Sequence, residues 1–133
     1  MIGANGGWYI QFKTGGTIVE FYTGSTEIQA TGLNLEGSWH HIAVTKASNV
    51  VKIFVDGQLK NTTSNSDTTN LANTLYIGKY SGSSLSYRGF VSNVRIVKGT
   101  SLYNATFIPP NKPLSTTSQG ATCLLYTSPS PRD

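Results

Sequence analysis

The pair Asp56-Gly57 constrains this chain more than any other local feature. A two-residue type I′ hairpin needs positive φ at both central positions, and Asp-Gly is among the few pairs that accept it. The flanks carry strand patterns: Val50-Val51-Lys52-Ile53-Phe54-Val55 leads in and Gln58-Leu59-Lys60 leads out. A chain with this hairpin at its middle is expected to be built of antiparallel strands.

The upstream half repeats the theme. Trp8-Tyr9-Ile10-Gln11-Phe12-Lys13 puts Trp, Ile and Phe on one face and Tyr, Gln and Lys on the other, the period of a half-buried strand. Thr14-Gly15-Gly16 turns it into Thr17-Ile18-Val19-Glu20-Phe21-Tyr22, and Thr23-Gly24-Ser25 turns that into Glu27-Ile28-Gln29-Ala30. Trp39-His40-His41-Ile42-Ala43-Val44-Thr45-Lys46 has apolar groups on both faces and predicts a central strand. Residues 61–73 and 80–88, rich in Thr, Ser, Asn and Gly, predict two surface loops with the strand Leu75-Tyr76-Ile77-Gly78 between them. Residues 90–97 predict a long strand with a bulge near Ser92-Asn93, because Val91, Val94 and Ile96 cannot share a face in strict alternation. Residues 98–114, with Tyr103, Phe107, Ile108 and Pro109-Pro110, predict a segment laid across the sandwich edge.

Composition agrees with this reading. Only 12% of the 133 residues are charged and 14 are Gly, which suits short strands and turns in one domain. The net charge of +4 comes from Lys and Arg spread singly, so nucleic acid is not expected as a partner. No run approaches the roughly 18 apolar residues of a membrane span, so no membrane insertion is expected either. Residues 123–133, CLLYTSPSPRD, resemble the translation of a sequencing adapter and are expected to be a non-native tail outside the fold. The division is therefore residues 1–114 as the sandwich, 115–122 as a polar extension and 123–133 as the tail. The only cysteine falls in that tail, which leaves the rest without thiol chemistry.

Four strings in order, Trp39-His40-His41-Ile42-Ala43-Val44-Thr45, Ile53-Phe54-Val55-Asp56-Gly57, Leu75-Tyr76-Ile77-Gly78 and Phe90-Val91-Ser92-Asn93-Val94-Arg95-Ile96, resemble the concanavalin A-like lectin/glucanase superfamily in its laminin-G-like form. The close, Val94-Arg95-Ile96-Val97-Lys98-Gly99-Thr100 with Leu102-Tyr103 and Phe107-Ile108-Pro109-Pro110, resembles the phage and marine-virus type found on tail and virion proteins. The resemblance covers about residues 8–114. It implies an all-β, antiparallel, two-sheet jelly-roll sandwich. Such domains carry further strands before the position of Trp8, so the chain is expected to start inside the domain and to lack an N-terminal edge strand. Many members carry acids at the positions matching Ser92 and Asn93, where they help hold calcium. No cofactor is expected, calcium being the candidate that the resemblance raises and these two residues argue against.

The chemistry points to binding. Glucanase members need two carboxylates about 5 to 9.5 Å apart across one sugar bond. Glu20, Glu27, Glu36, Asp56 and Asp67 show no along-strand spacing that pairs them, and Asp56 is committed to its turn, so no hydrolysis is expected. His40 and His41 are adjacent, point to opposite faces of a strand and cannot share a metal; a packed or hydrogen-bonded His41 is expected. Trp8, Phe12, Trp39, Phe54 and Phe90 fall at strand periodicity and read as core. Tyr80, Tyr87 and Arg88 differ, since they flank or sit in a Ser/Gly-rich loop where rings could stack on a sugar and a guanidinium could donate paired hydrogen bonds. With Asp67 of the other loop they are the candidate carbohydrate contacts. The resemblance then implies a non-catalytic glycan-binding or adhesion module of a virion or extracellular protein, directed at a host cell-surface polysaccharide. A structural decoration domain contacting other virion proteins is the alternative, and a glycoside hydrolase remnant a further one.

Overall fold

A computed structural model describes residues 2–4, 7–67, 74–79, 86–114 and 122–126, the last five and Ala4 as backbone. The described residues form strands and turns, with no helix. One antiparallel sheet has the order β4-β3-β2-β1-β8, built from β1 (Ile2–Ala4), β2 (Trp8–Lys13), β3 (Ile18–Thr23), β4 (Thr26–Ala30) and β8 (Leu75–Ile77). A second has the order β5-β6-β7, from β5 (Ile42–Ala47), β6 (Val50–Val55) and β7 (Gln58–Ser64). β9 (Val94–Lys98) pairs with β10 (Thr122–Tyr126).

Alternation sets the layers. In the register Phe12↔Val19, Ile10↔Phe21 and Phe21↔Ile28, apolar side chains of the larger sheet share its inner face. They meet Val51, Ile53 and Val55 of β6, and Trp8, Val19, Phe21, Ile28 and Ala30 are buried with these in one core. Ile42, Val44, Leu75 and Ile96 pack against it, so β9 contributes to the same core. This is the two-sheet antiparallel sandwich that the resemblance implied, built from the antiparallel strands of the sequence pattern.

At the central hairpin Asp56 has φ 50° and Gly57 φ 79°, as a type I′ turn demands. Residues 101–110 then run as a strap over the outer face of the smaller sheet. The Phe107 N–H donates to the Gly57 carbonyl at 3.0 Å and the Lys52 ammonium to the Asn104 carbonyl at 2.6 Å. Phe54, on the face of β6 away from the core, is fully buried beneath Phe107, whose ring centroid is 5.4 Å away.

Several expectations are corrected. A strand does precede Trp8: Ile2–Ala4 lies between β2 and β8, where three residues gain ladder partners on both sides but carry no periodicity of their own. The return arm of the central hairpin runs on to Ser64, through residues expected in a loop, because the β-branched Thr62 and Thr63 continue the pairing with β6. The bulge expected near Ser92-Asn93 is instead a break: Asn93 takes φ 53° and the strand starts at Val94. Thr122–Tyr126, of which all but Thr122 was expected outside the fold, pairs with β9 from Thr122↔Lys98 to Tyr126↔Val94. An open strand edge presents unpaired N–H and C=O groups, and the backbone of an added strand satisfies them whatever its origin.

Candidate functional site

The aromatic residues divide in a way their spacing does not show. Trp8 and Phe54 are buried and Phe12 packs against the core, but Trp39 is 60% exposed and Phe90 70% exposed. The β5–β6 ladder ends at Ile42↔Val55, so Trp39 lies before the strand instead of on its inner face. Phe90 is excluded from β9 by the turn at Asn93. The two rings lie together on the surface, centroids 6.4 Å apart and planes inclined by 38°. Paired exposed aromatics of this size are uncommon on a surface that contacts only water.

The chain neighbours of Trp39 are polar and are held by the central hairpin. The Asp56 carboxylate meets His40 Nδ1 at 2.7 Å and accepts the His41 N–H at 2.9 Å, while Ser38 Oγ lies 2.9 Å from His40 Nε2. Burial pushes the Asp56 carboxyl up, but the bonds from His40 and the His41 amide outweigh it and hold it below the usual carboxylate range. An ionised carboxylate only accepts, so His40 donates from Nδ1, while its Nε2 shares a hydrogen bond with the Ser38 hydroxyl. The connectivity is that of an acyl-transfer triad, assembled across the hairpin from residues whose order along the chain does not suggest one. Ser38 is exposed and the Asp56 side chain is 48% accessible, so this relay stands in water, where such charge stabilisation is weak. It is a fixed row of hydrogen-bonding groups drawn from the two chain neighbours of Trp39 and the hairpin turn.

The candidate contacts read from the sequence do not converge. Tyr80 lies outside the described residues. The Tyr87 ring packs against Phe12 at 5.4 Å and its N–H donates to the Gly78 carbonyl at 2.7 Å, which makes it an anchor for the base of its loop. Arg88 is exposed and precedes Phe90 by two residues. The Asp67 carboxylate accepts from Thr26 Oγ1 at 2.9 Å and Asn65 Nδ2 at 3.2 Å, bonds that hold it below the usual carboxylate range. It ties the β3–β4 turn to the end of β7, and a Cβ at Gly24 would come within 2.8 Å of it.

Sequence spacing also missed a cluster on the outer face of the larger sheet. The register Gln11↔Glu20↔Gln29 places an acid between two amides on adjacent strands. Glu20 is fully buried there, accepting from Gln11, Lys13 and Gln29. Lys13 also reaches Glu27 at 3.8 Å, so two carboxylates share one ammonium across β3 and β4. Burial pushes Glu20 up, and the bonds from Lys13, Gln29 and Gln11 more than reverse it, leaving the carboxyl below its ordinary range. Among the described residues no three His, Cys, Asp or Glu side chains gather as a metal site.

These features define a class: an antiparallel β-sandwich with fixed polar groups and exposed rings at its surface. The chain belongs to the concanavalin A-like lectin/glucanases superfamily, whose laminin G-type family model matches residues 1–101. No curated protein and no solved structure matches it significantly.

Proposed function

We propose that this domain is a non-catalytic carbohydrate-binding module that holds its glycan on Trp39 and Phe90, as one part of a virion or other extracellular surface protein. The exposure of that ring pair carries the reading. A pyranose lays its C–H face on an aromatic ring, and its hydroxyls then need donors and acceptors at the ring's margin. In this reading Ser38, next to Trp39 in the chain, and Asp56, linked to it through His40, supply acceptors, and Arg88 supplies a donor on the segment that carries Phe90. Binding without cleavage fits Glu20, which is inaccessible and held ionised, and so is neither a proton donor nor a nucleophile in reach of a sugar.

The test is a glycan array with the full chain, followed by calorimetry on the best ligand. Trp39→Ala and Phe90→Ala should each weaken binding about tenfold, or ~1.4 kcal/mol, with the melting temperature nearly unchanged because both rings are largely in solvent. Binding that survives both changes places the site elsewhere. An empty array favours the decoration-domain reading, in which the same rings and Ile108, 93% exposed, would contact a protein.

A further inference from the structure

Residues 101–110 cover Phe54 but supply no member of the sandwich core. Their hold centres on one imidazole. The His41 ring meets Phe107 edge to face at 5.5 Å and Tyr103 at 6.2 Å, and those two rings stack at 3.7 Å. His41 Nδ1 is buried with no hydrogen-bond partner. We propose that the strap is an acid-released cover with His41 as its latch: protonation of His41 detaches residues 101–110 from the smaller sheet and exposes Phe54 while the sandwich stays folded. This goes beyond the glycan reading and does not depend on it.

The surroundings of His41 favour the neutral ring. From the strap it faces Tyr103 and Phe107. From β9 it feels Arg95, which donates to the Tyr103 hydroxyl at 3.3 Å and would repel a second cation. From β6 Lys52 holds the strap at Asn104. Among the described residues Asp56 is the opposing charge, and its carboxylate already serves His40 Nδ1 and the His41 N–H. Burial is the main cause that holds the His41 ring below the ordinary histidine range, Arg95 adds to it, and Asp56 opposes both.

The sign follows by linkage. Once released, His41 titrates near the ordinary value of about 6.5, while in the closed state it takes a proton only at lower pH. Opening therefore binds a proton in the interval between the two values. Above about 6.5 closure does not depend on pH; below it, each unit of acidification raises the open population up to about tenfold, until the closed-state value is reached. The few bonds from strap to sheet make this a local opening, separate from loss of the core.

The experiment is amide exchange on the full chain from pH 7.5 to 5, corrected for intrinsic rates, with dye binding to newly exposed apolar surface. The Phe107 amide should lose protection below about pH 6.5 while the β3 amides keep theirs, and dye fluorescence should rise. His41→Phe should abolish both changes. A histidine titration by NMR on the unaltered chain provides a second measurement, since His41 must titrate over the interval in which Phe107 opens. Phe107 and β3 losing protection together, or a pH response that persists in His41→Phe or does not track His41, would overturn the proposal.

Discussion

Gly57→Ala should destabilise the domain by about 3 kcal/mol or more and lower its melting temperature by roughly 10 °C. Two independent costs meet at this residue. Its φ of 79° lies in the left-handed region, where a side chain costs about 1 kcal/mol relative to glycine. The larger cost is contact, because a Cβ built on Gly57 would stand 1.9 Å from the Phe107 carbonyl oxygen and 3.0 Å from Pro109 Cδ. Backbone cannot yield as a flexible side chain can, so the strap must lift, breaking the Phe107 to Gly57 hydrogen bond and uncovering Phe54. Gly32→Ala is the control. It also lies at positive φ, 70°, but nothing stands within 4 Å of its added Cβ, so it should cost only the conformational part. Urea unfolding of both variants measures the difference, and equal costs would show that the strap does not press on the hairpin as described.

What could be read in advance follows from the range of the physics. The Asp56-Gly57 turn and the β2–β3–β4 meander were legible because turn chemistry and alternation act within a few residues. The exposure of Trp39 and Phe90 was not, because alternation assigns a face only inside a strand: the β5–β6 ladder ends at Ile42↔Val55, after Trp39, and Asn93 separates Phe90 from β9. Ser38, His40 and Asp56 come together only because the Ile42↔Val55 pairing folds the hairpin back beside residue 40. The Gln11, Glu20 and Gln29 row had a usable signal: a hairpin closing at residues 14–17 fixes the register, and that register sets polar residues side by side on three strands. The signal lies across strands, whereas spacing along each strand pairs no acids. β1 and β10 had no such signal, being short strands specified by the neighbour they pair with.

That polar row carries the second large effect. Glu20→Ala should cost about 2 to 3 kcal/mol, because a fully buried carboxylate that satisfies Gln11, Lys13 and Gln29 is removed and its donors are left facing a gap. Glu20→Gln keeps the volume but replaces an acceptor by a donor against Lys13, and should cost roughly half as much. Acidity then separates charge from packing. The folded Glu20 carboxyl lies below its ordinary value, so its stabilisation is complete above about pH 4.3 and is lost as pH falls through the folded value. The gap between the unaltered chain and Glu20→Gln should be wide at pH 7 and narrow steadily below pH 4, whereas the packing loss in Glu20→Ala should persist. The same variants address catalysis, since Glu20 and Glu27 are the two acids that Lys13 draws together on one sheet face. A retaining or inverting hydrolase needs both of its carboxyls open to the sugar, and Glu20, fully buried, is not. Laminarin and agarose should yield no reducing ends with the unaltered chain; cleavage that disappears in a folded Glu20→Gln protein would make this face an active site and the domain an enzyme.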